Sequence, residues 1–483
     1  QGRGARSGRI DQLVSVQGVV VGAFADGLQG VFVQSERDDG DPLTAEGLFV
    51  EHAADAVPQL HAGDRVRVSG RVAETGDERA SLTTLRDTVV TVIGAGEVQP
   101  LRLEQAPAAA ADWERYEGMA LRIAAPLTVT DNSSLAGYGE LSASFDGRLF
   151  QPTELAAPGP EVARLAADNA RRKLVLDDGS ASKAPMDVAL LGTPISDAAP
   201  LRDGSTLRDV QGIVDQRRGA WRLQLTAPLQ VTQAPRPPAP DVAGDTRIAS
   251  LNLLNLFNGD GHGGGFPTER GAVTDAQYRV QQAKLVEVVQ ALRPDIAGLM
   301  EVENDGSGPD STAAQFVAAL NARGPLRDYA LVDTGPKLGG DAIHVAMIYR
   351  KARVTPVGKA ATLTGGPFEH KSRVPMAQAF RAGGGPVFLV ETNHFKSKGC
   401  GRDADAASGA DADQRDGQGC WNPVRVDSAQ RVIAWLDGDP THTHPVRRLL
   451  IGDFNAHAME DPLRALHASG WQDAFALARH EIL

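Results

Sequence analysis

LLIGDFNAHAMEDP, residues 449–462, opens with Leu449, Leu450 and Ile451, which predict a buried strand ending at Gly452. Asp453 and Asn455 follow one residue apart, a spacing that turns a carboxylate and a carboxamide to the same side of a strand end. The pair suits a phosphate centre. Asp453 can orient or deprotonate a water, while Asn455 donates to a phosphoryl oxygen as charge builds on it. The competing reading is a strand closed by an Asx turn, because Asp and Asn are ordinary turn residues.

Upstream, the chain alternates strands and helices. IASLNLLNLF (248–257) is a strand carrying Asn252. A Gly-rich loop follows it. TDAQYRVQQAKLVEVVQALRPD (274–295) then places Leu285, Val288, Val289 and Leu292 at the spacing of a buried helix face, and Pro294 stops the helix. IAGLMEVEN (296–304) ends a strand on Glu301, with Glu303 and Asn304 just beyond. A carboxylate at the end of a buried strand is costly unless paired or bound to metal. Magnesium takes one or two carboxylates plus waters and phosphate oxygens, which Asn252 and Glu301 on neighbouring strands would satisfy. A Glu hydrogen-bonded to a nearby loop is the alternative.

DAIHVAMIYR (341–350) and PVFLVETNHFKSKGC (386–400) are further strands. The second ends in Asn393, His394, Lys396 and Lys398. Imidazole beside two ammonium groups suits protonation of a leaving oxygen and attraction of a phosphodiester, although a His near Lys is commonly a surface residue. Arg373 and Gln378 precede this strand, and Arg425 follows it on a helix. These are a basic rim or solvated faces.

Before this region, QAPRPPAPDVAGD (233–245) is a proline-stiffened linker. Residues 1–98 carry five short Gly-punctuated β segments, the pattern of an OB-type Greek-key barrel. Residues 99–232 form a second β-rich domain that begins with a helical run near Ala108–Trp113. Phe24, Phe32 and Phe49, with Arg65, Arg67, Arg71 and Arg86, would be the barrel's means of holding single strands, with barrel core as the alternative for the rings. The last domain is 246–483.

With 483 residues, two to four domains with real cores are expected. The 49 basic and 61 acidic side chains give a net charge of -12, which excludes a protein that coats polyanions through bulk positive charge. No apolar run is long enough to span a membrane. The chain starts at Gln1, so a signal peptide is expected to have been removed or to lie outside it. Cys400 and Cys420 flank one Asp- and Gly-rich loop. A disulfide there would contribute on the order of 3 kcal/mol and points to an exported protein; two free thiols are the alternative.

SLN at Asn252, LME at Glu301, NHFKSK at His394 and GDFN at Asp453 occur in the order and contexts of one family. The chain resembles the DNase I-like endonuclease/exonuclease/phosphatase family, and within it the bacterial extracellular ExeM/NucH-like branch. FPTERG (266–271), DAI followed by IYR, the DQRDGQGCWN loop (413–422) and the OB-type N-terminal region carry the finer likeness. The resemblance implies an α/β (α+β) four-layer β-sandwich preceded by all-β OB-like barrels. It implies a secreted, extracellular or periplasmic, monomeric nuclease that hydrolyses DNA, with RNA as a second substrate. The metal would be Mg²⁺, with Mn²⁺ or Ca²⁺ as alternatives.

By the same resemblance Asn252 and Glu301 would hold the metal, His394 would act on the leaving 3′ oxygen, Asp453 would direct the attacking water and Asn455 would steady the phosphorane. From their positions rather than from the resemblance, Lys396 and Lys398, with Arg373 and Arg425, are the candidates for binding phosphate. The Cys400–Cys420 pair matches a cystine-closed loop, whose Asp403, Asp405, Asp411, Asp413 and Asp416 would take Ca²⁺ or remain a solvated acidic loop. Alternatives are a phosphodiesterase acting on phospholipids or sugar phosphates, and a secreted nucleic-acid-binding protein. Family members continue past GDFN to a strand Asp and an SDH-like motif, whereas Leu483 lies 28 residues beyond Asn455. A nuclease fragment with an open sheet edge is therefore expected, one that nicks plasmid weakly or not at all.

Overall fold

In the computed structural model the residues described are all except 1, 54, 78–79, 186–187, 189–190, 192–195, 197–199, 239–242, 336, 403–405 and 479–483. Two compact units emerge, one of Gln1–Phe150 with Arg164–Ala239 and one of Gln151–Ala163 with Pro240–Leu483. Part of the expected linker, 239–242, lies outside the described residues. No helix among the described residues is long and apolar enough to cross a membrane.

In the first unit, β1 (Leu13–Phe24), β2 (Gly30–Gln34), β3 (Gly47–Glu51), β4 (Asp64–Asp77) and β5 (Ala80–Ala95) close a barrel in the order β1-β2-β3-β5-β4. Alternating valines fill it, among them Val20, Val31, Val33, Val50, Val66 and Val68. The later strands form one nine-stranded sheet whose core includes Trp113, Leu121, Leu174 and Leu223. The expected helical run is a 3₁₀ helix over Ala110–Tyr116.

Phe32 and Phe49 do not face a groove. They are buried with Leu82, Ala120 and Ile213, where barrel and sheet pack together. Arg65 and Arg86 pair with Glu36 and Glu51. The rings are packed because two apolar surfaces of one unit meet there, which leaves neither of these two free to stack on bases.

The second unit is a sandwich of two four-stranded sheets. The first runs Ile248–Leu256, Ile296–Glu303, Ile343–Arg350, Tyr329–Leu331; the second runs Val354–Thr362, Arg373–Ala382, Val387–His394, Arg447–Asp453. Ile296, Met300, Val345 and Met347 meet Met376, Phe380 and Val390 between the sheets. Helices 275–292 and 312–322 cover the first sheet through Val286, Val289, Phe316 and Leu320. Helices 422–437 and 461–468 cover the second through Val432, Leu436 and Leu466. The layering is therefore α/β/β/α, within a mixed α+β chain dominated by sheets.

Two expectations shift. Leu449, Leu450 and Ile451 are only half-buried, because Arg447–Asp453 is an edge strand paired on one side. Helix 275–292 buries Tyr278, Val286 and Val289, while Val288 and Leu292 are exposed. Apolar residues surround its second half, so spacing alone did not fix its rotation.

Candidate active site

The two edge strands each pair in parallel with a neighbour, Asn252 opposite Met300 and His394 opposite Asp453. Parallel pairing needs a crossover, which helices 275–292 and 422–437 supply. At the same level both strands of the first-sheet pair break register, between Asn252 and Leu256 and between Leu299 and Val302. Leu254, Asn255 and Glu301 take positive φ of 56°, 52° and 61°. The kink turns the Glu301 side chain out of the ladder, where the Asn255 amide donates to its Oε2 at 3.0 Å. In the second sheet Gly452 is required: a Cβ there would lie 2.1 Å from the Asn393 carbonyl oxygen.

Asn252 joins the sheets. Its Nδ2 donates to Glu301 Oε1 at 3.0 Å and to Asp453 Oδ2 at 3.1 Å, while its Oδ1 accepts from the Leu254 amide at 2.9 Å. As placed, it spaces the two carboxylates rather than presenting an oxygen between them. His394 Nε2 lies 3.9 Å from Glu301 Oε1 and 3.8 Å from Asp453 Oδ2. The ring is 2% exposed and its Nδ1 has no partner. Burial, and after it the Arg373 guanidinium, bring its pKa down to about 4 against the pull of Asp453 and Glu301. The imidazole is thus neutral at pH 7 in this arrangement. Asn455 donates its amide to Asp453 Oδ1 at 2.9 Å and its Nδ2 to the Phe395 carbonyl at 3.1 Å.

Arg373 lies directly across from His394 in the second sheet and donates to the same Phe395 carbonyl at 3.4 Å. Its Nε is 3.6 Å from Asp341 Oδ2, and Arg270 Nη1 is 3.0 Å from Asp341 Oδ1. Asp341 and Arg270 were not singled out from the sequence, because both stand in loops outside the apolar strands; the DAI and FPTERG strings were their visible signal.

The remaining basic residues lie apart. Lys396 stands over the Trp421 ring at 5.5 Å, beside Lys371 at 4.3 Å. Lys398 is paired with the buried Glu460, which also accepts from Thr153 Oγ1 at 2.7 Å. Arg425 is 0% exposed and donates to the carbonyls of Gln418, Cys420 and Lys396. Buried in this way it offers a phosphate no surface, and it ties the base of the loop closed by the Cys400–Cys420 disulfide.

Glu301 and Asp453 would be the pair to hold a divalent cation here, in the place the Asn252 amide now takes between them. Two carboxylates completed by water and phosphate oxygens suit Mg²⁺ or Mn²⁺, and both accept from the Asn252 amide. In the disulfide loop, Asp413 and Asp416 accept from their own loop amides at Arg415 and Gln418, and Asp403 and Asp405 lie outside the described residues. Among the described residues, the one close trio of acidic groups is Asp38, Asp39 and Glu46 in a barrel loop. Asp38 and Asp39 there accept from the Gly40 and Asp41 amides, as ordinary turn caps do.

No protein-family model matches the sequence, and no curated protein matches it. Solved structures do resemble it at low identity. The human Nocturnin catalytic domain with bound sulfate is 17% identical, covers 48% of this chain and 73% of its own, and superposes with a TM-score of 0.32. A humanized D. rerio TDP2 is 14% identical over 47% of this chain and 68% of its own, with a TM-score of 0.28. A functionally unknown conserved protein from Enterococcus faecalis is 16% identical over 48% and 75%, with a TM-score of 0.31.

Proposed function

We propose that the unit of 151–163 and 240–483 is a divalent-metal-dependent phosphodiesterase that hydrolyses nucleic acid, DNA first and RNA second. One observation carries this reading: Glu301 and Asp453, from different sheets, meet at the Asn252 amide with the buried His394 ring 3.9 and 3.8 Å away. Side chains so distant in sequence converge at the open end of the sandwich, with Arg373 behind them. A bound Mg²⁺ or Mn²⁺ would neutralise charge developing on the phosphoryl oxygens.

The chain's own groups do the rest. Asp453 orients the attacking water, Asn455 fixes the Asp453 carboxylate through its amide, and Asn252 keeps the two carboxylates in register. Arg373 stabilises negative charge beside His394. His394, neutral here, offers a hydrogen bond to the leaving oxygen, and any proton it donates must be acquired with substrate in place. The disulfide supports an exported setting. The barrel's strand order supports an OB-type reading of residues 1–98.

The test is hydrolysis of a labelled oligonucleotide with enzyme in excess, beside a sphingomyelin and an inositol phosphate substrate. Metal-dependent cleavage of the oligonucleotide that falls about 100-fold or more in Asp453→Asn is expected. Cleavage of the lipid or sugar phosphate alone would replace nucleic acid as substrate, and cleavage indifferent to EDTA and to Asp453→Asn would remove the reading.

A further inference from the structure

The Phe266–Gly271 run brings the chain back onto the kinked turn of the first strand. Gly271, at φ +82°, sits so close to that turn that a Cβ would lie 2.2 Å from the Asn255 carbonyl oxygen. The same Asn255 holds Glu301 through its amide. The Thr268 hydroxyl lies between the Arg270 and Ala272 carbonyls at 2.5 and 2.7 Å, which stiffens the loop. Arg270 is thereby delivered to the rim of the centre on a fixed backbone.

Its side chain is 39% exposed, and among the described residues its guanidinium pairs with Asp341 at 3.0 Å. The other Asp341 oxygen faces Arg373. One carboxylate therefore stands between two guanidiniums, and it meets the Arg270 fork at Nη1. Asp341 also holds that fork in place. A rigid guanidinium with free N–H groups matches the oxygens of a phosphate two at a time.

We propose that Arg270 binds a second phosphate of a nucleic-acid strand, next to the one positioned at Glu301 and Asp453. This rests on the phosphodiesterase reading and narrows it. The substrate is a polymer with consecutive phosphates, because a sugar monoester or a lipid headgroup has no second diester to place on Arg270.

Binding of a fluorescent single-stranded oligonucleotide in EDTA, followed by anisotropy over a salt series, tests the proposal. Arg270→Gln should raise Kd about tenfold and reduce the slope of log K against log salt by about 0.7, one phosphate on a single strand. Arg270→Lys should restore the slope but not the affinity. Arg279→Gln, removing an exposed arginine paired with Asp275 on the nearby helix, should change neither. Thermal midpoints and Mn²⁺ affinity should be unchanged in all three. Equal effects of Arg270→Gln and Arg279→Gln, no effect of Arg270→Gln, or no oligonucleotide binding by the wild type would each overturn it. If the wild type binds Mn²⁺ but Arg270→Gln leaves the slope intact, this proposal alone fails. If the wild type binds no Mn²⁺, the phosphodiesterase reading fails first.

Discussion

The two sheets contribute to the centre by different physical means. The first-sheet half is set by backbone: Leu254, Asn255 and Glu301 hold positive φ, and the register breaks that result aim Glu301 and Asn252 outward. The second-sheet half is set by buried polar contacts. Asn393 donates to the Ile451 carbonyl, Arg425 ties three carbonyls beneath the segment after His394, Glu460 takes Lys398 and Thr153, and a disulfide closes the loop. Glu301 and Asn252 should therefore tolerate small adjustments. His394 and Asp453, in contrast, depend on a network whose members cannot be removed singly without cost.

That contrast can be broken most forcefully at Arg425. Arg425→Met removes the donor to the buried carbonyls of Gln418 and Cys420 and to the half-buried carbonyl of Lys396, and should cost about 3–5 kcal/mol in denaturant unfolding. A loss under about 1 kcal/mol would mean that the second-sheet half is not held by this network. Next comes the disulfide. Cys400→Ser with Cys420→Ser opens a loop with a sequence separation of 20 and should cost about 3 kcal/mol. An unchanged thermal midpoint would show that the loop orders itself without the link.

Glu391 makes the stability of the second-sheet half depend on pH. It is fully buried within the second sheet with Asn393 as its hydrogen-bond partner, and burial pushes its carboxyl well above the usual carboxylate range. The folded state therefore keeps a proton that the unfolded chain releases near pH 4.3, so Glu391 subtracts stability increasingly as pH rises above that value. Glu391→Gln should be close to neutral at pH 4 and more stable than wild type at pH 8, as thermal midpoints at the two pH values would reveal. A gain at pH 4 equal to that at pH 8 would contradict a protonated Glu391. The smallest effect belongs to the first sheet: Leu254→Gly removes an exposed side chain from a left-handed position and should add about 0.5–1 kcal/mol, whereas destabilisation would mean that the turn is not strained.

The layered fold and the strand ends that converge were legible because polar residues closing apolar strands stand out: Asn252, Glu301, His394 and Asp453 each break a hydrophobic run. Arg425 was not legible, since an arginine on an amphipathic helix looks the same whether its fork meets solvent or buried carbonyls. The rotation of helix 275–292 was hidden by apolar residues on most sides of its second half. Phe32 and Phe49 read equally well as stacking rings or as core, and only the packing of sheet against barrel separates the two. Arg270 and Asp341 lie in loops, where periodicity carries no signal. The partnership of Thr153 with Glu460 joins residues 307 apart, beyond any local pattern.

Glu301 and Asp453 together would hold one divalent cation. Titration of Mn²⁺ followed by electron paramagnetic resonance tests it directly, with Asp38→Asn and Asp39→Asn included to silence the barrel loop. The wild type and the loop variant should share one bound ion that Glu301→Gln with Asp453→Asn loses. Equal Mn²⁺ binding by that double variant and the wild type would mean that Glu301 and Asp453 do not hold the ion.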